Sequence, residues 1–225
     1  EIVIAAVSAL VGRPFEPRTP EFRRKVEATA LPELPARALA FCAGCPHRAA
    51  FWAIKAALEL DGRDGVALGD IGCYTLGSMQ TGYFTLRTVH AMGSSVGLAS
   101  GFGKLAALGF QQPVVSVVGA SPFYHSVTPA LINARYNDSR LLLVVLDNST
   151  TAMTGHQPHP GTGRSATGEP APPLPIEAVA RALGLAVEIQ DPLRTSDTVE
   201  SVYRLLRTEG AKVLILRSPC ALLPW

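Results

Sequence analysis

The sequence contains no apolar run long enough to cross a bilayer. Its most apolar early stretch, residues 2–11, falls well short of the roughly 20 residues that a spanning helix needs, and Glu1 precedes it where a signal peptide would carry basic residues. A cytoplasmic protein without a membrane span is therefore expected. A basic excess is missing too: 20 Lys and Arg stand against 18 Asp and Glu, a net charge of +2, so no stripe is available to neutralise a phosphate backbone and a nucleic-acid partner is excluded. Cysteine is scarce. Four in 225 residues, unevenly spaced, do not make a disulfide-stapled secreted scaffold. No ferredoxin-like Cys-x-x-Cys-x-x-Cys run occurs, and no internal repeat. The first residue is Glu rather than Met, which suggests a processed product, a shortened chain or the C-terminal part of something longer.

What is present suits one sizeable α/β domain with a tail, since a chain of 225 residues that is 48% hydrophobic can bury a substantial core. Residues 12–38 are rich in charge and proline (Pro14, Pro17, Pro20, Pro32, Pro35) and read as a linker in which only 21–28 looks helical. The expected division is an N-terminal segment and linker over 1–38 and one domain over 39–225.

Beyond the linker, short β-branched runs alternate with amphipathic stretches. The pattern predicts helices over 47–60, 93–108, 129–136, 176–183 and 198–208, and strands over 66–68, 114–118, 141–146, 186–189 and 213–216. Fully apolar strands are those covered on both faces, so the expected fold is a doubly wound, mostly parallel sheet with helices on both faces. Residues 150–175 have little periodicity and many Gly, Pro, His and Thr; loops this long inside a compact domain are usually functional or disordered.

Ligands of open parallel sheets bind beyond the carboxyl ends of the strands, and those ends carry the unusual residues here. Asp70 and Cys73 follow one strand, Gly119, Ala120 and Ser121 another, and Asn148 a third. Glycine lets backbone N–H groups approach a diphosphate closely, and Asn148 offers the kind of oxygen that Mg²⁺ accepts beside phosphate. Turns that need positive φ use the same residues, so both readings stand at this point. The Cys42-Ala-Gly-Cys45 pair points toward metal or redox chemistry.

Four motifs carry a resemblance to a known family. Cys42-Ala-Gly-Cys45-Pro-His47-Arg-Ala-Ala, Gly69-Asp-Ile-Gly-Cys73-Tyr-Thr-Leu-Gly, Met92-Gly-Ser-Ser, and the stretch from Leu146-Asp-Asn148-Ser-Thr-Thr-Ala-Met-Thr154 through Gly-His156-Gln-Pro-His159-Pro-Gly-Thr-Gly are similar to the thiamine-diphosphate domain of indolepyruvate ferredoxin oxidoreductase alpha subunits. The likeness runs over about residues 31–219. It implies the diphosphate-binding module of that fold, Mg²⁺, and oxidative decarboxylation of an aryl or otherwise bulky 2-oxo acid, with electrons passed singly to iron-sulfur clusters and coenzyme A taking the acyl group. By motif, Gly119 and Ser121 would line the diphosphate, Asn148 and the Thr150 carbonyl would hold Mg²⁺, and Ala152, Met153 and Thr154 would close over the phosphates. Ile71, Gly72 and Cys73 would lie near the thiazolium, with His47 and His90 as nearby polar groups.

One position departs from the family. Where it has Gly-Asp-Ser, with the aspartate on Mg²⁺, this chain has Gly119-Ala120-Ser121, and a methyl group cannot bind a hard cation. Cofactor affinity should fall. The family also activates the aminopyrimidine with a glutamate from a facing domain, and nothing in these residues resembles that domain, so another segment or subunit must complete the site and a hetero-oligomer is expected.

Cys42, Cys45, Cys73 and Cys220 together would make the Cys₄ set of an iron-sulfur cluster, in an order similar to the [4Fe-4S]-binding subunit of archaeal-type 2-oxoacid:ferredoxin oxidoreductases. Zinc accepts the same set, and buried free thiols are the plain alternative. His156 and His159 fall in the unpatterned loop, where contact with substrate or cofactor competes with simple solvation; His125 reads as structural or as a subunit contact; Asp70 reads as a residue orienting the Cys73 turn. Three functions follow: an enzyme component with ferredoxin or a ferredoxin-like subunit as acceptor, a non-catalytic electron-relay subunit that has lost productive cofactor binding through Ala120, or a zinc-stabilised scaffold.

Overall fold

The computed structural model describes residues 2–13, 19–29 and 37–223. Glu1 and the linker prolines Pro14, Pro17, Pro32 and Pro35 lie outside them. By internal contacts the chain divides into Glu1–Ala38 and Leu39–Trp225. In the first unit, α1 (Ile2–Leu10) buries none of its residues, and its apolar character had not marked it as a helix. α2 (Pro20–Ala28) starts where its sequence dictates: the Thr19 side chain accepts the Phe22 N–H at 3.2 Å, and Pro20 takes the first position, where a missing N–H costs nothing.

The second unit is built on one sheet of six strands, β1 (Val66–Gly69), β2 (Leu86–Val89), β3 (Val114–Gly119), β4 (Leu141–Asp147), β5 (Ala186–Gln190) and β6 (Ala211–Arg217). All pairings are parallel, in the order β2-β1-β3-β4-β6-β5. α3 (Pro46–Asp61) and α8 (Thr195–Leu206) pack on one face through Phe51, Ile54, Val202 and Leu205. The other face is covered by α4 (Ser94–Lys104), by the helix that begins as α5 (Ala120–Pro122) and ends as α6 (Thr128–Tyr136), and by α7 (Ile176–Ala182). β4 shows why the central strands are apolar without alternation: Leu142, Val144 and Leu146 enter one core while Leu141, Leu143 and Val145 enter the other.

From β1 the chain winds outward to β2 and then back across β1 to β3, so the winding direction reverses between β1 and β3. Loops leaving the two strands diverge there, which opens a crevice at the carboxyl edge of the sheet.

Three features differ from the sequence reading. β2 was not anticipated, because Leu86-Arg-Thr-Val is half polar; it is an edge strand that buries Leu86 and exposes Arg87. The helix expected over 129–136 begins at Ala120 and runs through a π turn, Phe123–Val127, so the residues read as a strand-end turn are a helix start. The loop over 150–175 is braced by two isolated antiparallel bridges, Thr151 to Gln157 and Arg164 to Pro170. Among the described residues no helix is long and apolar enough to cross a membrane.

α4 provides a test of this packing through two of its glycines. A Cβ on Gly103 would lie 2.5 Å from the Arg140 carbonyl oxygen, whereas one on Gly101 would meet nothing within 4 Å. Gly101→Ala should therefore raise stability by about 0.4–1 kcal/mol, through lost freedom of the unfolded chain, and Gly103→Ala should lower it by about 1–3 kcal/mol. Urea unfolding midpoints moving in the same direction would contradict this arrangement of α4 against the start of β4.

Candidate functional site

The turn after β1 is organised by a buried carboxylate. Asp70 is fully buried; the Tyr74 hydroxyl donates to its Oδ1, and the Ser95 backbone N–H donates to Oδ2 at 3.2 Å. The second bond sits in the first turn of α4, so Asp70 caps that helix while it fixes the turn. Thr75 adds a clasp, donating its hydroxyl to the Asp70 carbonyl at 2.8 Å and accepting the Gly72 N–H at 3.1 Å. The carboxylate and burial both push the Tyr74 phenol upward, burial more, so it stays a donor. Gly72 is obligatory, since a Cβ would stand 2.3 Å from the Tyr74 ring.

A cavity of about 80 Å³ opens beyond this turn. Ile71, Gly72, Cys73 and Tyr74 wall one side, and Gly119, Ala120, Ser121 and Pro122 wall another. Leu146, Asn148 and the loop Thr150, Thr151, Ala152, Met153 and Thr154 complete it, with His47 from α3 and Met92 from the segment before α4. The helix starting at Ala120 has no side-chain cap, so its first N–H groups are available to an anion at the cavity wall. Gly119 allows the backbone close: a Cβ there would lie 3.0 Å from the Tyr74 ring. A diphosphate fits such a wall.

The metal side is weaker. No carboxylate lines the cavity; Ala120 contributes a methyl group, and the oxygen-bearing side chains there include Asn148, Ser121 and the threonines. Asp70 is already engaged, and Asp147 is bound to Arg217 Nε at 2.8 Å and to the Ser149 N–H at 3.3 Å. A hard cation here would depend on the diphosphate for anionic charge.

All four cysteines line a second cavity of about 250 Å³. Cys45 stands at the start of α3 with Cys42 in the preceding turn, where the Cys45 N–H donates to the Cys42 carbonyl at 3.2 Å. Cys73 opens the 3-10 turn Cys73–Ser78. Cys220 arrives because the β4–β6 pairing continues past both strands: the Ser218 N–H donates to the Asp147 carbonyl and the Cys220 N–H to the Asn148 carbonyl, each at 3.0 Å. The thiols influence one another. Burial, and after it the charges of Cys42, Cys73 and Cys220, push the Cys45 thiol up to about 11, against a lowering hydrogen bond from the His47 backbone. Burial and then Cys220 and Cys42 raise Cys73. Among the described residues no three His, Cys, Asp or Glu side chains converge on the position of a single metal ion.

The two cavities share a wall, since His47, Cys73, Asn148, Ala152 and Met153 line both. His47 is buried, and burial pushes its imidazole down to about 4, so the ring is neutral near pH 7. His90 is exposed and lines neither cavity. His125 is exposed with its Nε2 2.9 Å from Met92 Sδ. His156 lines the cysteine cavity, with Nε2 3.8 Å from Cys220 Sγ. His159 is not solvated: it is buried, stacks on Tyr124, and accepts the Gly161 N–H on Nδ1 at 3.1 Å. Tyr74, Met92, Pro122, Leu146 and Thr151 line the first cavity without having been singled out as site residues. Tyr74, Met92, Leu146 and Thr151 lie inside the quoted motifs, whereas only the three-dimensional winding places Pro122.

A reversal crevice, a glycine-flanked helix start and a strand-end asparagine together are what a doubly wound α/β domain offers to a phosphate-bearing ligand. The chain belongs to the family described as thiamine pyrophosphate enzyme, C-terminal TPP binding domain, whose model matches residues 70–216. It is also related to the indolepyruvate oxidoreductase subunit IorA of Methanothermobacter marburgensis, 42% identical over 226 residues that cover 99% of this chain and 34% of that protein. The corresponding subunit of Archaeoglobus fulgidus is 41% identical over 89% of this chain and 31% of its own length. The chain thus spans about a third of the curated relatives it matches. Its fold is similar to that of a 2-oxoglutarate:ferredoxin oxidoreductase from Magnetococcus marinus, with a TM-score of 0.69 at 20% identity over 86% of this chain and 67% of that one. Benzoylformate decarboxylase from Polynucleobacter necessarius shares the fold more distantly, with a TM-score of 0.56 at 16% identity over 78% of this chain and 34% of that one.

Tyr74→Phe tests the organising role of Asp70. It would leave one carboxylate oxygen buried without its donor, so stability should fall by about 1–3 kcal/mol in urea unfolding. A change below a few tenths of a kcal/mol would show that the turn does not depend on this bond.

Proposed function

We propose that residues 39–225 form the thiamine-diphosphate- and cluster-binding domain of a 2-oxoacid:ferredoxin oxidoreductase of the indolepyruvate type. Its reaction would be oxidative decarboxylation of an aryl or otherwise bulky 2-oxo acid to an acyl-CoA. The shared wall carries this reading: a cavity beside the uncapped helix start at Ala120 and a cavity lined by all four cysteines have His47, Cys73, Asn148, Ala152 and Met153 in common. That adjacency is what transfer of single electrons from a cofactor to a cluster requires.

In this reading the backbone N–H groups at Ala120 and Ser121 bind the diphosphate, Asn148 and the Thr150 carbonyl hold Mg²⁺, and Ala152, Met153 and Thr154 close the loop. When bound, thiamine diphosphate supplies the carbanion chemistry that releases the carboxylate as CO₂. Ile71, Gly72 and Cys73 shape the space at the reacting end, and neutral His47 excludes water from the wall without adding a charge. Cys42, Cys45, Cys73 and Cys220 hold a [4Fe-4S] cluster. His90, outside both cavities, has no part in the proposed site. Four cysteines in the lining of a cavity of about 250 Å³ support a group larger than one zinc ion, whose bonds to sulfur are only about 2.3 Å long.

A facing domain or subunit, carrying the pyrimidine-activating glutamate, completes the site. The first cavity, about 80 Å³, is far below the roughly 300–1,000 Å³ of sites that enclose small molecules. Its apolar rim is open, with Ile71 40% and Met153 50% exposed. Electrons leave to ferredoxin or a ferredoxin-like subunit.

The second reading is a relay subunit that keeps the cluster but not the cofactor, and Ala120 is the observation in its favour. Anaerobic purification of the complex, with iron, sulfide, zinc and thiamine diphosphate quantified on one sample, separates the readings. About four iron and four sulfide per chain with stoichiometric cofactor is the expected result. Iron without cofactor would favour the relay, and zinc without either would overturn the redox assignment. Restoring the carboxylate with Ala120→Asp should tighten Mg²⁺-dependent cofactor binding about tenfold, roughly 1.4 kcal/mol by calorimetry. Unchanged affinity would mean that the ion is held without an anionic side chain.

A further inference from the structure

His156 stands apart from the other histidines in both backbone and neighbour. It is a non-glycine residue at φ +64°, a conformation that L-residues adopt at a cost, and its Nε2 lies 3.8 Å from Cys220 Sγ. A short hairpin holds it there: the Thr151 N–H donates to the Gln157 carbonyl at 3.0 Å, and the Gln157 N–H donates back to the Thr151 carbonyl at 3.2 Å. The same hairpin carries Thr154 in the cofactor cavity and His156 in the cysteine cavity. Cys220 is buried while His156 is exposed, so the imidazole covers the sulfur on its solvent side.

We propose that His156 is a positioning residue of the cluster, donating its Nε2–H to the Cys220 thiolate and so raising the potential at which the cluster accepts an electron. The inference rests on reading the four cysteines as a cluster site. A hydrogen bond to a cluster sulfur stabilises the form that carries more negative charge, which is the reduced one. His156 is thus not a ligand; it sets how readily the cluster takes an electron from the neighbouring cavity.

The test uses the anaerobically purified complex with its partner subunits, in which the signal of this cluster is identified by its loss in Cys220→Ser. Mediated redox titration followed by electron paramagnetic resonance compares wild type with His156→Asn and His156→Gln. Asn tolerates positive φ but is too short to reach the sulfur, whereas Gln is long enough to present an amide N–H. The midpoint potential should fall in His156→Asn and stay near the wild-type value in His156→Gln. In wild-type protein labelled with ¹⁵N-histidine, pulsed resonance should detect a weak histidine-nitrogen coupling that His156→Gln removes. If His156→Asn does not assemble the cluster, that coupling decides the matter on the wild type and His156→Gln alone. Equal potentials in loaded proteins, or a coupling that is absent from wild type or persists in His156→Gln, would overturn the inference. Wild type without iron and sulfide would instead overturn the cluster reading beneath it, and this inference with it.

Discussion

The Asp70 carboxylate is the constraint on which the site depends. A fully buried carboxylate is tolerable only when it is hydrogen-bonded, and here its two partners come from different places: the Tyr74 hydroxyl from the turn that it begins, and the Ser95 N–H from the start of α4. The bonds fix the turn relative to the helix. Because the turn carries Ile71 and Cys73, the same two bonds locate residues on both sides of the wall between the cavities. Tyr74 has a second duty, since its ring is the surface against which Gly72 and Gly119 must remain without side chains. Loss of the carboxylate would thus be felt at the β3 end as well as at the β1 end.

Parallel winding does the remaining placement. A sheet in which every strand runs the same way delivers all its carboxyl ends to one edge, and residues far apart in sequence meet there without any long-range signal of their own. Cys220 is the clearest case. It is 72 residues from Asn148, yet the register that pairs Leu146 with Leu216 and Asp147 with Arg217 continues into the bond between the Cys220 N–H and the Asn148 carbonyl. The fourth thiol is positioned by strand pairing.

What could be read from the sequence follows from the same physics. β4 and β6 were legible because burial on both faces demands an unbroken apolar run, and α3 because Pro46 marks its start and the core-facing Phe51 and Ile54 follow at helical spacing. β2 was not, since an edge strand buries little and Leu86-Arg-Thr-Val carries no such run. The helix start at Ala120 was read as a strand-end turn because Gly119-Ala120-Ser121 follows an apolar strand, and small residues serve turns as well as helix starts. The cavity residues inside the long motifs were legible. For His159 the sequence left contact with substrate or cofactor and solvation both open, and the structure removes the second, because this loop folds back and buries its histidine against Tyr124.

Ala120 and the cysteine ring pull the chemistry in different directions. On the cofactor side the protein offers neutral oxygens and backbone N–H groups, which suit a diphosphate that brings its own cation but hold a bare Mg²⁺ poorly. On the other side burial, and after it the neighbouring thiols, raise Cys45 and Cys73, so these two favour the protonated form more than a free thiol does. The hairpin from Thr151 to Gln157 contributes Thr154 to one cavity and His156 to the other, so a change in its position would be felt in both. Two sites that share a wall and a loop in this way cannot be tuned independently, and a substitution on either side should be judged by its effect on the other.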